Sequence, residues 1–218
     1  MFPDDRVSRH NYIYSAFSAK RYDLAEQALD KIVSDGHGFE IVEQIIYANI
    51  LVIKNDPESL DYFEGIINHI PEFHTHEMPD SQENLEKLIS GEKTVTIALA
   101  YHGYSAAVFI FRAAPEQALA LNDTALWYAK PMGNKFVSDL EYRNVAYLYA
   151  MGEFEKGDVL RRKIESDVGV ELTRKATESL LTAYCWNTSV AEHCKELRKR
   201  GLLAPVSSPT GAEVYPHT

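Results

Sequence analysis

Two stretches of this chain repeat one pattern of residues, and this repetition constrains the fold more than any other feature. "RYDLAEQALDKI" spans residues 21–32 and "EFEKGDVLRRKI" spans residues 153–164. In both, an aromatic residue follows a charged one, a small residue comes three positions later, and Lys-Ile ends the stretch. The apolar residues of the first stretch recur at the i, i+3, i+4 spacing of one buried helix face. The pattern therefore predicts a packed helix at two separate places in the chain.

Helical spacing continues along most of the chain, whereas the alternation typical of strands is weak. We expect helices over residues 8–19, 22–34, 39–54, 57–69, 82–90, 92–113, 115–130, 137–151, 153–167, 171–186 and 188–200. Asp56 is predicted to cap the fourth helix, and Thr188 or Ser189 the last one. Most of these helices form pairs joined by short turns, which is typical of helical solenoids.

One long interruption and one proline-containing tail lie outside the helical pattern. Residues 71–81 form an irregular linker that begins with Pro71, and residues 204–218 carry three prolines without a helical stripe. We therefore expect a single helical-repeat domain over residues 1–203, followed by a C-terminal tail over 204–218.

The paired helices resemble the tetratricopeptide family, whose repeat of about 34 residues places small and apolar residues at fixed positions of the second helix. The corresponding residues are Ala25, Leu29 and Ile32, then Ser59, Phe63 and Ile66, then Ala118, Asn122 and Ala125, and finally Gly157, Arg161 and Ile164. The first two sets are 34 residues apart, while the later steps are 59 and 39 residues, and the third and fourth sets have the polar Asn122 and Arg161 where the family has a large apolar residue. The resemblance implies an all-α, right-handed solenoid of about five antiparallel helical hairpins, and a general antiparallel helical bundle is the alternative.

Charge and apolar content exclude several classes of protein. A net charge of −10 argues against binding to the phosphate backbone of nucleic acids. The charge is also uneven, with 15 acidic against 6 basic residues over 1–80, and 7 acidic against 10 basic residues over 156–200. No apolar run approaches the roughly 20 residues that span a bilayer, so we expect no membrane contact and a cytoplasmic location. Cys185 and Cys194 are accordingly expected to be reduced, with a bridge between them as the alternative.

Candidate catalytic and metal-binding residues are few. "HIPEFHTHEMPD", residues 69–80, contains three histidines but lacks the helical spacing of HExxH, and we expect it to bind no metal. His102 lies in the most apolar predicted helix, where a core histidine is the favoured interpretation. The basic run over residues 195–200 is predicted to complement a helix C-terminus, with contact to a phosphate or to an acidic partner as the alternative. The sequence therefore predicts no catalytic residue and no cofactor.

These observations favour a non-enzymatic protein–protein interaction module: an adaptor, an assembly factor or a chaperone. In the tetratricopeptide family the first helix of each hairpin lines a concave face that holds a partner protein or peptide. The resemblance places on that face His10, Asn11, Tyr14, Gln44, Tyr104, Tyr142, Arg143 and Tyr149. Tyrosine and arginine are typical of binding hot spots. The alternative for any one of the tyrosines is that it only packs hairpins together.

Two other functional classes remain open. A small all-helical enzyme would use His102 together with the histidines and acids of residues 69–80. A structural subunit would use the acidic start and the basic end of the chain for self-association or for head-to-tail contacts in a larger assembly.

Overall fold

A computed structural model describes residues 6–69 and 91–204 of the protein, and within these ranges every regular element is helical. The α-helices are α1 (Arg6–Ser18), α2 (Tyr22–Ser34), α3 (Ile41–Ile53), α4 (Glu58–His69), α5 (Gly91–Ala107), α6 (Pro115–Ala129), α7 (Asn134–Ala150), α8 (Phe154–Val168), α9 (Val170–Tyr184) and α10 (Ala191–Lys199). A π-helical turn, Val108–Arg112, follows α5, and short 3-10 turns precede α7 and α10. The all-α prediction is confirmed. The predicted linker 71–81, the predicted helix 82–90 and residues 205–218 of the tail lie outside the described ranges.

Local hydrogen bonds explain where several helices begin and end. Asp56 Oδ1 accepts a hydrogen bond from Glu58 N at 3.0 Å, as expected of the cap of α4. Gly36, with φ +80°, ends α2 in the left-handed conformation that favours glycine. The predicted cap of the last helix, Thr188 or Ser189, is wrong. Asn187 is the capping residue, since its Oδ1 accepts a hydrogen bond from Ser189 N at 3.0 Å. An intervening 3-10 turn therefore separates the cap from α10.

The chain divides into two compact units, Met1–Ala107 (unit 1) and Val108–Thr218 (unit 2). The division falls inside the long apolar segment that the sequence predicts as one helix over residues 92–113. Each unit has its own buried residues, so each is described by itself. The single repeat domain expected over residues 1–203 stays a prediction.

In unit 1, α1 packs on α2, α3 packs on α4, and α5 packs on both α3 and α4. The core between the first three helices includes Ile13, Leu29 and Ile50, each at most 1% exposed. Gly103 allows α5 to approach α3 closely, because a Cβ at this position would lie 2.8 Å from Asn49 Oδ1. Short connections between packed neighbours make the α1–α2 and α3–α4 pairs helical hairpins.

In unit 2, α7 packs on α6, α8 and α9, and α8 also packs on α9. Phe109 of the π-helical turn is fully buried between two tyrosines, with its ring centroid 4.7 Å from that of Tyr147 and 4.6 Å from that of Tyr184. Aromatic rings at these separations contribute more than their buried area alone. The π-helical turn is therefore held by the core of unit 2.

The residues that carry the tetratricopeptide resemblance are buried almost without exception. Leu29, Phe63 and Asn122 are completely buried, and of the twelve positions named above only Arg161 is substantially exposed, with 35% of its side chain accessible. The pattern therefore identifies core positions correctly in both units. Burial of single helix faces is also expected of a general bundle, so the solenoid arrangement stays a prediction.

Cys185 and Cys194 form a disulfide, with their Cα atoms 5.9 Å apart. The expectation of two reduced thiols is therefore wrong. Its physical reason is the tight connection between α9 and α10, which brings the residue after α9 beside the first turn of α10. Because such bridges persist in oxidising surroundings, the expected cytoplasmic location gains no support from this pair and stays a prediction.

One described segment, Thr94–Arg112, is long and apolar enough to cross a membrane by length and composition, with a mean hydropathy of 1.4. However, 72% of it is buried inside the protein, as in the core helix of a globular fold. The expectation that no apolar run approaches the length of a membrane span is therefore wrong for this segment, while the expected absence of membrane contact stays a prediction.

Candidate functional site

Unit 2 contains an open pocket of about 460 Å³ whose lining includes three arginines. We call it the arginine pocket, and the residues that line it are Tyr149, Arg161, Arg174, Thr177, Glu178, Arg198, Gly201, Leu202, Leu203 and Ala204. They come from α7, α8, α9 and the C-terminal end of α10 with the turn that follows. Helical spacing explains the contribution of α9, since positions 174, 177 and 178 share one face.

Two of the three arginines have acidic neighbours on their own helix. Arg161 lies 3.3 Å from Asp158 and 3.2 Å from Glu165, in both cases between side-chain nitrogen and oxygen. Arg174 lies 3.4 Å from Glu171 and 3.6 Å from Glu178. Exposed pairs of this kind contribute little stability, but they largely neutralise the two guanidinium groups.

Arg198 differs from these two, since no acidic side chain of the described ranges forms an ion pair with it. Its Nε is buried and has no hydrogen-bond partner, and the same is true of Arg161 Nε. Thr177 is 5% exposed, and its Oγ1 is likewise buried without a partner. A buried donor without a partner costs about 1–3 kcal/mol, so a group that accepts from these donors would recover free energy.

The aromatic wall of the arginine pocket is Tyr149, whose side chain is 1% exposed. Its hydroxyl donates a 2.7 Å hydrogen bond to Asp158 Oδ1. Burial, followed by this hydrogen bond to an acidic group, raises the pKa of Tyr149 to about 12. The phenol therefore stays neutral, and Asp158 is held beside both Tyr149 and Arg161.

The remaining polar lining of the pocket also has partners. Glu178 Oε1 accepts a hydrogen bond from Ala204 N at 3.1 Å, which fixes the turn after α10 against α9. Leu203, 6% exposed, packs at the same turn. Besides Arg161 Nε, the groups left to interact with a ligand are therefore the Arg198 guanidinium and the Thr177 hydroxyl. Such a donor set is suited to binding a carboxylate or another anion.

The structure separates the predicted partner-binding residues of unit 1 by exposure. Asn11 and Tyr14 are exposed on α1, and Tyr14 is 47% accessible. Gln44 is half-buried, and its amide donates to Phe39 O at 3.1 Å. Tyr104 is only 8% exposed and donates to Glu64 Oε1 at 2.9 Å, so its side chain packs within the unit. This agrees with the alternative that a tyrosine only packs hairpins together, and a role of Tyr104 in partner binding stays a prediction.

His10 is the remaining residue of this set that is not buried. It lies beside Glu43 of α3 and beside Glu40, the N-cap of that helix. His10 Nδ1 is 3.8 Å from Glu43 Oε1 and 4.0 Å from Glu40 Oε2. None of the predicted residues of unit 1 other than His10 takes part in this cluster.

In unit 2, Tyr142 and Arg143 are half-buried on α7. Arg143 interacts with the phenol groups of Tyr142 and Tyr147, so this part of α7 is already engaged within the unit. Tyr149 is the one predicted residue among the pocket lining. Because its side chain is buried, it forms a wall of the arginine pocket and is not an exposed anchor.

Sequence reasoning missed the arginine pocket, although two signals pointed to it. Arg161 occupies a repeat position where the resemblance expects a large apolar residue, and breaks in a pattern often mark functional sites. The basic run over 195–200 is the second signal. Within it, Lys195 pairs with Glu192 at 2.6 Å and Arg200 with Glu196 at 2.7 Å, and of the two remaining basic residues Arg198 lines the pocket while Lys199 does not.

His102 is 8% exposed within α5, which confirms the interpretation of a core histidine. Its carbonyl oxygen accepts a hydrogen bond from Ser105 Oγ at 2.7 Å. The enzyme hypothesis combines His102 with residues 69–80, of which residues 70–80 lie outside the described ranges.

Comparisons with protein-family models, curated proteins and solved structures find no match for this chain. The tetratricopeptide resemblance therefore rests on the buried repeat positions alone and stays a prediction.

Proposed function

We propose that this chain is a non-enzymatic interaction module, acting as an adaptor, assembly factor or chaperone, and that unit 2 binds an acidic segment of a partner protein in the arginine pocket. The observation that carries this proposal is the pair of unsatisfied groups in one pocket: the buried hydroxyl of Thr177 and the guanidinium of Arg198, whose Nε has no partner.

The chemistry of these groups selects an acceptor. Arginine has five N–H donors and no acceptor, and its planar guanidinium matches the two oxygens of a carboxylate. A bound aspartate or glutamate would place one negative charge against Arg198 and could also accept from Thr177. Hydrogen bonds between charged groups are about twice as strong as neutral ones. A carboxylate therefore satisfies the site better than an amide would.

The size and the surroundings of the pocket favour a protein segment. A volume of about 460 Å³ exceeds one carboxylate and accommodates several side-chain groups. Leu202, which is half-buried in the lining, offers apolar surface to the residues that flank the acid in a peptide. Arginine in a partly desolvated pocket is also a common anchor of protein interfaces.

The proposal is tested with a fluorescent peptide that contains consecutive glutamates and with the same peptide carrying glutamines. We expect the glutamate peptide to bind in fluorescence anisotropy, with an affinity that falls as salt screens the charges. Arg198→Gln should weaken this binding at least about tenfold, which is about 1.4 kcal/mol. Thr177→Val, which removes only the hydroxyl, should weaken it by a smaller factor.

Lys199→Gln is the matched control, because it removes the same charge from an exposed neighbour in α10. The affinity of Lys199→Gln for the glutamate peptide should stay close to that of the unchanged protein. Equal binding of the two peptides, or equal loss in Arg198→Gln and Lys199→Gln, would mean that the overall basic charge of this region binds the peptide and would overturn the pocket assignment.

A further inference from the structure

We propose that His10, Glu40 and Glu43 of unit 1 form a binding site for a divalent transition-metal ion, with Zn²⁺ as the probe. One ligand atom from each of these side chains lies within 4.8 Å of the others. The site joins α1 to the beginning of α3 and is independent of the arginine pocket.

The two carboxylates are held in place by the first turn of α3. Glu40 is its N-cap and Glu43 its third residue, and each side chain accepts from the backbone N–H of the other in a capping box. In this box Glu40 N donates to Glu43 Oε2 at 2.8 Å. The other oxygen of Glu43, Oε1, is the one nearest to His10. The capping box therefore orients a carboxylate oxygen toward the imidazole before any ligand binds.

The burial of Glu43 requires compensation for its charge. Its side chain is only 3% exposed. Exposed acidic clusters need no counter-ion, but a buried carboxylate is not in that situation. Burying an ionised carboxylate is costly unless a cation pairs with it. Glu43 and Arg9 both line a cleft of about 260 Å³. The Arg9 guanidinium, however, lies 3.3 Å from Asp35 and is neutralised there. A bound ion would supply the positive charge that this carboxylate lacks.

The distances favour a bound ion. His10 Nδ1 is buried and makes no hydrogen bond. Its separations of 3.8 Å from Glu43 and 4.0 Å from Glu40 exceed those of a direct N–H···O bond. Two metal–ligand bonds of about 2.1 Å span at most about 4.2 Å, so an ion between these atoms would contact both sides of each pair.

The ligand types indicate which ion fits. Calcium and magnesium prefer oxygen ligands throughout, whereas an imidazole suits zinc and other late transition metals. One nitrogen and two carboxylate oxygens leave a further position for water. We therefore expect selectivity for Zn²⁺ over Ca²⁺ and Mg²⁺.

Isothermal titration calorimetry of untagged, chelator-treated protein with Zn²⁺ tests the site. We expect one ion to bind per chain, and Ca²⁺ or Mg²⁺ to give no comparable heat. His10→Gln and Glu43→Gln should each weaken Zn²⁺ binding at least about tenfold. Glutamine at position 43 still supports a capping box, so this variant keeps the fold while it loses the charged ligand.

Glu58→Gln is the matched control, since it removes the same charge from an exposed residue of unit 1, and its Zn²⁺ affinity should be unchanged. Circular dichroism confirms that each variant is folded. Absence of stoichiometric binding would show that His10 and Glu43 form only an ion pair and would overturn the proposal. Binding that survives Glu43→Gln but is lost in the double variant His74→Ala, His76→Ala would also overturn it and assign the ion to residues 70–80.

Discussion

The ring of Tyr149 occupies the space that a side chain at Gly157 would need, since a Cβ there would lie 2.5 Å from Tyr149 Cε1. Tyr149 belongs to α7 and Gly157 to α8, so this contact sets how closely the two helices pack. It also explains the small residue in the repeated stretch over 153–164. The aromatic that begins α8, Phe154, packs on the same tyrosine, with ring centroids 6.2 Å apart.

Gly157→Ala should therefore destabilise unit 2, although alanine has the higher helix propensity. Overpacking a close contact of this kind costs about 1–3 kcal/mol. Gly65→Ala is the control, because nothing lies within 4 Å of a Cβ at that position of α4. It should gain up to about 1 kcal/mol from helix propensity. Denaturant unfolding measures both, and a stabilised Gly157→Ala would contradict the α7–α8 contact.

Ala25→Phe tests the corresponding position in unit 1. Ala25 is completely buried between helices, so a phenyl ring should cost about 1–3 kcal/mol through overpacking. Gln27→Phe places the same ring on the exposed side of α2 and should change the free energy of unfolding much less. Equal melting temperatures for the two variants would show that the register assigned to α2 is wrong.

A buried polar network joins α6 to α7. Asn122 is completely buried, and its Nδ2 donates to Asn144 Oδ1 at 2.7 Å and to Leu140 O at 3.1 Å. Asn122→Leu leaves Asn144 without this donor, and we expect a loss of about 1–3 kcal/mol in denaturant unfolding. Gln117→Leu, an exposed substitution on the same helix, should be nearly neutral. A stabilised Asn122→Leu would mean that the network is dispensable.

The raised pKa of Tyr149 predicts a dependence of stability on alkaline pH. The folded pKa of about 12 lies above the unfolded value of about 10, so the stabilising contribution is complete below pH 10. It is lost progressively as the pH rises from about 10 toward 12, because the unfolded phenol ionises first. The difference between the phenolate absorbance titrations of the unchanged protein and of Tyr149→Phe measures this group.

The variant Asp158→Asn tests which interaction raises the pKa of Tyr149. It removes the acidic hydrogen-bond acceptor but leaves the burial of the ring, which is the larger cause of the shift. The pKa of Tyr149 should therefore decrease without reaching the ordinary value. A difference titration centred on the ordinary tyrosine pKa in the unchanged protein would contradict the buried position of the ring.

The disulfide between Cys185 and Cys194 should contribute measurably to stability, since it links α9 to α10. A loop with a sequence separation of nine predicts a contribution of about 2–3 kcal/mol. Thiol reduction, or the variant Cys194→Ala, should lower the free energy of unfolding by that order. Quantification of free thiols in the unfolded, unreduced protein is the check, and two reactive thiols would contradict the bridge.

Sequence patterns predicted the helices well because most of them bury one face, and the spacing of apolar residues reports that face directly. Ala25 and Phe63 are examples, since both are buried where the repeat places them. The arginine pocket could not be predicted in this way, because its residues come from four separate elements. The π-helical turn was also missed, since its sequence "VFIFR" is as apolar as the helix before it.

The sequence patterns did not predict the disulfide between Cys185 and Cys194. The two predicted helices over 171–186 and 188–200 already placed Cys185 and Cys194 near the same turn. The expectation of two reduced thiols relied on the usual state of cysteines and not on that geometry. Local geometry, however, decides whether two sulfurs can meet.

The bridge also changes what a protease can do to this molecule. Residues 186–193 form a covalent ring closed by the two sulfurs, and the ring carries Trp186, which is 40% exposed. One cut within that ring breaks the backbone but releases no fragment, because the two new ends stay linked through the bridge. The segment with Arg198 would therefore remain attached after nicking, and electrophoresis would show two fragments only after reduction.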